Sequence, residues 1–388
     1  MNSLAVATVV AKNYLSFARV LADSFLARHP GVPFYVLLAD EVEGSFDPAC
    51  EPFRLLTLAD LAIPQPERFR FRYSRRQVAV ASKPYLLEHL LDRGFASALY
   101  LDPDMLVMGD LSPMIEQALR HPAIVTPHLI APASGHGGVG RELNILQCGT
   151  FNGGVLGFSD TPAARRFLGW WRERLYGECR YEITQGLYYD QRWLDLLPAF
   201  VDGAKVVRDP GCNIAYWNLM EREVRIDGDA VLVNGRPARF FHFSGFDPLR
   251  PDRVTKYRPE LATADLGPAA RIYEHYAALI NGAGYTQIVA WPYRYGTFDN
   301  GVPIPEIARQ FYDSLADDAA GFGDPFQTEP PGSFFRWLNE PVPFDGTRLW
   351  RFIHESRPDL EAIHGAAFLE WAVRHGAAEF GIPDALLP

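Results

Sequence analysis

Cysteine is scarce in this chain and the four that occur, Cys50, Cys148, Cys179 and Cys212, are far apart with no Cys-x-x-Cys pair. That excludes a zinc ribbon and a disulfide scaffold, and fits reduced thiols in a cytoplasm. Long apolar runs are missing too, none approaching the roughly 18 residues that span a bilayer. The N-terminal stretch has no basic flank followed by a small-residue cleavage site. These absences predict a cytoplasmic protein without a transmembrane segment, although peripheral membrane contact stays open. Positive charge is in deficit, with 37 Lys and Arg against 47 Asp and Glu and a net charge of -10. Wrapping nucleic acid or broadly coating an anionic bilayer needs clustered cations, so both are disfavoured. No repeat at a solenoid period is visible.

What is present is ample material for a core, 48% of 388 residues being hydrophobic. That length exceeds the usual single domain. The centre of the pattern is Leu-Tyr-Leu-Asp-Pro-Asp-Met-Leu-Val-Met-Gly-Asp at 99–110. Two apolar runs too short for helices flank Asp102 and Asp104, and Pro103 cannot donate to a sheet ladder. The pair is therefore expected at a break at a strand end, with both carboxylates on one side. Like charges so close call for a cation between them, and a hard divalent ion held by oxygen is the usual solution. The competing reading is a solvated Asp-Pro-Asp turn, which the apolar flanks argue against.

In chain order, the apolar run at 4–10 suits a buried parallel strand. Phe17, Val20, Leu21 and Phe25 then take helical spacing, and 34–38 is the next strand, completing a βαβ unit. Ligands of such sheets bind beyond the carboxyl ends of the strands, which puts Asn13, Asp40 and Asp102 at one rim. Arg68, Arg70, Arg72, Arg75 and Arg76 form a dense cluster, read either as a phosphate holder or as a helix edge paired with acidic neighbours. Lys83 opens a helix with Leu86, Leu87, Leu90 and Leu91 on its apolar face. Residues 127–149, rich in Gly and Pro and without a Walker Gly-Lys-Ser/Thr, read as a mobile loop whose His128 and His136 are either ligands or, as is commoner in such a loop, merely exposed. In Phe151-Asn152-Gly153-Gly154-Val155-Leu156-Gly157-Phe158 apolar residues are interleaved with glycines, which marks a strand that another backbone or a ligand approaches closely. Phe167, Trp170, Trp171 and Leu175 form a core stripe, Tyr188-Tyr189-Asp190-Gln191 opens a further helix, and 239–246 reads as a last strand with a Ser-Gly turn. Beyond residue 258 helical spacing dominates. The expected division is thus 1–258, an α/β domain, and 259–388, a mainly helical module.

Taken together these segments resemble the GT-A fold of nucleotide-sugar-dependent glycosyltransferases, and within it the retaining family 8 group and its bacterial cell-surface polysaccharide relatives. The resemblance covers roughly residues 4–246. Asp102 and Asp104 look like the family's metal motif, and His242 in His-Phe-Ser-Gly matches its third metal ligand. Asn152, Gly153 and Gly154 look like its donor-sugar strand, and Asp190-Gln191 like its pair near the anomeric carbon. The resemblance implies a mixed, Rossmann-like sheet flanked by helices, with manganese or magnesium as cofactor. It implies donor contacts from Asn13, Tyr14, Lys83, Asn152, Gly153, Gly154, Ser244 and Gly245, and catalytic roles for Asp190 and Gln191. The partners it implies are a nucleotide-diphosphate sugar and a glycan, glycolipid or protein acceptor, with retention of configuration. Residues 298–304 with Arg309, and 357–360, resemble more loosely a helical appendage of bacterial cell-surface polysaccharide enzymes. Ala11 and Lys12 stand where the family usually has acidic residues contacting the nucleotide, which leaves the donor base open. Two other function classes fit less well. A nucleotidyltransferase would show a basic Gly-rich loop after the first strand, and a non-catalytic binder would not need the metal residues together with Asp190-Gln191.

Overall fold

The structure is a computed structural model that describes residues 3–133, 135 and 137–388, so His136 lies outside the described residues. The chain forms two compact units, Met1–Ala62 with Ala79–Trp291, and Ile63–Val78 with Pro292–Pro388.

The first unit is built on strands β1 (Leu4–Val10), β2 (Phe34–Leu38), β3 (Arg54–Thr57), β4 (Ser97–Leu101), β5 (Met105–Val107), β6 (Ala123–Pro127), β7 (Phe151–Ser159), β8 (Lys205–Val206) and β9 (Phe240–His242). Seven of them make one sheet in the order β8-β6-β7-β4-β1-β2-β3. β1 pairs in parallel with β2 and β4, while β7 runs antiparallel to both β4 and β6. Every residue of β1 is buried, as befits a parallel strand covered on both faces. Helices α1 (Leu15–Leu26), α2 (Lys83–Asp92), α3 (Gly138–Cys148), α4 (Pro162–Glu178) and α5 (Ala270–Gly282) complete the parts used below. This mixed sheet with flanking helices is the architecture expected, as is a mainly helical C-terminal region.

Several local expectations are modified. The apolar run after Asp104 is a strand, but it leaves the main sheet: β5 pairs antiparallel with β9, placing Met105 opposite His242. Residues 138–148 are helical rather than loop, a helix whose Val139, Leu143 and Leu146 face outward. The segment after Gln191 makes only a 3-10 stretch, Arg192–Leu196, and one α-turn, Leu197–Phe200. The compact units also divide at 291 rather than near 258. The reason is α5, whose Ile272, Tyr273, Tyr276 and Ile280 share a buried cluster with Phe17, Phe241 and Phe243. The Phe243 and Tyr276 rings stack at 3.7 Å and 9°. Without α5 that apolar face would meet water.

In the second unit Phe71, on the helix Pro66–Arg72, packs against Tyr312 at 4.8 Å and Phe334 at 5.5 Å. Buried Arg309 donates to the carbonyl of Phe71 at 2.6 Å and that of Tyr73 at 3.2 Å. Of the arginine cluster, Arg70 pairs with Glu67 at 2.8 Å, Arg72 donates to Asp313 at 2.7 Å, and Arg68 lies 3.8 Å from Asp317. These three act as the paired helix edge, while Arg75 and Arg76 are exposed.

Candidate active site

Four strand ends meet at one rim of the sheet. β1, β4 and β6 arrive there with their carboxyl ends and the antiparallel β7 starts from it, so residues 11–14, 102–104, 128 and 151–154 are brought together by topology. The β5–β9 ribbon adds His242 opposite the residue that follows Asp104.

Asp102 follows the last residue of β4, and its backbone N–H donates to Gly154 O at 2.8 Å. The Tyr100 hydroxyl donates to its Oδ1 at 2.8 Å, and Lys83 Nζ lies 3.3 Å from the same oxygen. His242 Nε2 stands 3.8 Å from Asp102 Oδ2 and 3.1 Å from Asp104 Oδ1. One ligand atom from each of these three residues falls within 4.8 Å of the others, the one such group among the described residues. Two carboxylates and an imidazole nitrogen form a donor set suited to manganese or magnesium, the nitrogen tilting it toward the transition metal. Burial raises the Asp102 carboxyl, but Lys83, His242 and Tyr100 together outweigh it and leave it below its ordinary value.

Gly154 is required here by space, since a Cβ would sit 2.5 Å from Asp102 Oδ2. At Gly153 a Cβ would come within 2.9 Å of Asp190 Oδ2, so the thin backbone lets the two carboxylate groups flank β7. Lys83, at the first turn of α2, is buried between them: it donates to Asp190 Oδ2 at 2.8 Å and to Gly153 O at 2.9 Å. Burial disfavours its charge, yet the flanking Asp102 and Asp190 raise its pKa on balance. For Asp190 burial prevails over Lys83 and holds the carboxyl above its ordinary value. Gln191 is occupied at both ends, its Oε1 accepting from Gly153 N at 3.0 Å and its Nε2 donating to Cys148 O at 2.8 Å. Its amide is a strut between α3 and β7.

Asn152 and His128 form a second buried pair. Asn152 Nδ2 lies 3.2 Å from His128 Nε2, and Asn152 Oδ1 accepts from Gly154 N at 3.1 Å. His128 is therefore not exposed as its Gly-rich surroundings suggest. Burial pushes its pKa down to about 4. An unfolded imidazole protonates near pH 6.5, so the native state binds fewer protons between these values. Stability contributed by neutral His128 is complete above pH 6.5 and is lost as pH falls toward 4, by about 3 kcal/mol in all. We therefore expect wild type to lose more stability than His128→Gln across that window. Urea titrations at several pH values check this, and parallel curves for the two proteins would refute it.

Asn13 is buried in the turn Lys12–Tyr14 with no partner for its Oδ1 among the described residues, while Tyr14 is 39% exposed and stacks on Phe17 at 4.7 Å. Lys12 is buried with its ammonium on Glu43 and 4.0 Å from Asp40. Ser244 and Gly245 follow β9 and engage a turn, Thr255 Oγ1 donating to Ser244 O at 2.8 Å and Lys256 N to Gly245 O at 2.9 Å. A Cβ at Gly245, whose φ is +73°, would meet Thr255 Oγ1 and the Tyr257 ring, each at 2.7 Å. Sequence reasoning missed Tyr100, Asn213 and Trp217, which touch Asp102 or His242, and Thr126 and Asn218, which hold Asn213. Of these only Tyr100 carried a signal, its alternation with Asp102 along the strand.

No family model matches the chain. It is 26% identical over 247 residues to the uncharacterized protein YfnF of Bacillus subtilis (strain 168), covering 62% of this chain and 80% of that one. Among solved structures it is similar to the galactosyltransferase LgtC in complex with donor and acceptor sugar analogues, at 19% identity and a TM-score of 0.42 over 70% of this chain and 95% of that one. The glycosyltransferase GlyE of Streptococcus pneumoniae TIGR4 is similar at 14% identity and a TM-score of 0.44, over 81% of this chain and 73% of that one.

Proposed function

We propose that this chain is a divalent-metal-dependent glycosyltransferase that moves a sugar from a nucleotide-diphosphate donor to a saccharide, lipid-linked or protein acceptor. The observation that carries the reading is the convergence of Asp102, Asp104 and His242 at the carboxyl rim, with Asp190 just across the Gly153-Gly154 backbone. Asp102, Asp104 and His242 would hold manganese or magnesium, which when bound neutralises charge on the departing diphosphate. Lys83 adds a second, fixed positive charge on the same side and keeps Asp190 oriented. Buried Asn13, whose Oδ1 has no partner among the described residues, faces the nucleotide together with Tyr14. Asn152 and the glycine backbone seat the sugar, and Ser244-Gly245 close the site after β9.

Asp190 is the group placed to stabilise positive charge developing at the anomeric carbon, or to orient the sugar. Gln191, both ends of its amide being engaged, acts by fixing the Gly153 backbone. Retention of configuration and a place in bacterial cell-surface glycan synthesis belong to this same reading, supported by the sequence resemblance. The test is a panel of nucleotide sugars screened by thermal shift and slow hydrolysis with and without manganese. One donor class is expected to stabilise the protein and be hydrolysed only with the metal. Absence of both effects across uridine, guanosine and thymidine diphosphate sugars would sink the proposal.

A further inference from the structure

We propose that Asn213 sets the tautomer of His242, holding the ring with Nδ1 protonated so that the Nε2 lone pair points at Asp102 and Asp104. It acts as a positioning residue. The consequence for metal affinity rests on the function proposed above; the tautomer itself does not.

Asn213 is buried and has a φ of +54°, a left-handed conformation that asparagine tolerates better than most residues. The next residue is strapped to β9 on both sides, Ile214 N donating to Phe240 O at 3.2 Å and His242 N to Ile214 O at 2.8 Å. Position 213 therefore cannot drift relative to His242. Its Oδ1 lies 3.0 Å from His242 Nδ1, and its Nδ2 donates to Thr126 Oγ1 at 3.3 Å. In the structure the amide nitrogen lies on Thr126 and the oxygen on the ring, and an oxygen acceptor requires a proton on Nδ1.

The environment on the other side of the ring pulls the opposite way. Asp104 Oδ1, 3.1 Å from Nε2, would by itself favour a proton there, which would block that nitrogen as a ligand. Asn213 is the counterweight, and the loop around it is braced. Asn218, fully buried, donates from Nδ2 to Asn213 O at 2.9 Å and to His128 O at 3.1 Å, and accepts from Ala215 N at 2.9 Å. Trp217 stands edge-on to His242 at 5.1 Å and to His128 at 5.3 Å, which restricts rotation of both rings. Hydrogen bonds to the free nitrogen of a ligating imidazole commonly govern its orientation and affinity.

The test compares wild type with Asn213→Gly, which keeps the left-handed backbone and removes the amide, and Asn213→Asp, which keeps only acceptors. The tautomer is read in metal-free protein from long-range proton–nitrogen correlations of labelled histidine, at a pH where the imidazole is neutral. Wild type and Asn213→Asp are expected to carry the proton on Nδ1, and Asn213→Gly to move it toward Nε2. Manganese alone, titrated by electron paramagnetic resonance, should bind Asn213→Gly about 10- to 100-fold more weakly and Asn213→Asp no more weakly than wild type. Thr126→Val, which frees the amide to turn over, should shift the tautomer in the same direction as Asn213→Gly and serves if that variant folds poorly. A wild-type proton on Nε2, or an unchanged tautomer in both Asn213→Gly and Thr126→Val, overturns the proposal. So does Asn213→Asp behaving like Asn213→Gly. If wild type shows the Nδ1 proton yet binds no manganese, the metal reading fails and the tautomer assignment stands.

Discussion

Asp104→Asn should lower metal-dependent transfer on the order of 10³-fold, about 4 kcal/mol of transition-state stabilisation, while changing stability by about 1 kcal/mol or less. The asymmetry follows from its surroundings. Asp104 keeps a 19% exposed side chain with Oδ1 3.1 Å from His242 Nε2, so an amide of the same shape fits at this partly exposed position. Asp102, already paired with Lys83 at 3.3 Å, and Asp104 repel one another when no metal lies between them, which makes loss of the Asp104 charge about neutral for the metal-free fold. Asp102→Asn should lose activity to a similar degree but also lose stability, because its carboxylate balances Lys83 at 3.3 Å and accepts from Tyr100 at 2.8 Å. Donor turnover measured over a manganese titration, alongside urea unfolding, separates the two effects. Rates within tenfold of wild type in both variants would remove the metal from the mechanism.

The difference between the two aspartates was not readable from the sequence, although the pair itself was. Asp-Pro-Asp between apolar runs predicts a strand end with two carboxylates, and the structure has it. Nothing in the run at 105–108 distinguishes a central strand from a strand that leaves the sheet, because both are short, apolar and buried. Hence the antiparallel partnership of β5 with β9, which brings His242 beside Asp104, came only with the fold. The resemblance supplied His242 where periodicity could not. Helix α3 escaped notice because Gly138 and Gly140 lower helix propensity and because its apolar Val139, Leu143 and Leu146 are not buried. Burial of His128 is illegible for a related reason: its neighbours in sequence are polar and Gly-rich, but its partners Asn152 and Trp217 lie far along the chain. Asn213 has no motif at all, and its role is defined by a left-handed φ and a strap to β9. The division at 291 depends on α5 covering Phe243, a contact between segments that each look self-sufficient as patterns.

Lys83→Met is expected to cost about 3–5 kcal/mol near neutral pH, the usual penalty for breaking a buried ion pair from one side. Lys83 Nζ sits 2.8 Å from buried Asp190 and 3.3 Å from partly exposed Asp102, and 4.7 Å from the centre of the Tyr100 ring. Without the ammonium, the buried Asp190 carboxylate and the partly exposed Asp102 carboxylate face each other across the Gly153-Gly154 backbone. Asp190 is already held above its ordinary value by burial, and loss of Lys83 raises it further. The sign of the pH dependence follows. A carboxyl whose native pKa exceeds the unfolded one binds more protons when folded, so stability falls as pH rises from the unfolded pKa through the native one. Lys83→Met should accordingly recover much of its loss in acid, and Asp190→Asn added to it should restore stability at neutral pH by removing the stranded charge. Manganese should stabilise Lys83→Met more than wild type, because an ion at Asp102 supplies the positive charge that the variant lacks. Denaturant titrations of wild type, the single variants and the double variant, at acid and neutral pH and with and without the metal, give the coupling directly. A cost under about 1 kcal/mol for Lys83→Met, or a double variant less stable than it at neutral pH, would show that Lys83 does not balance these two carboxylates.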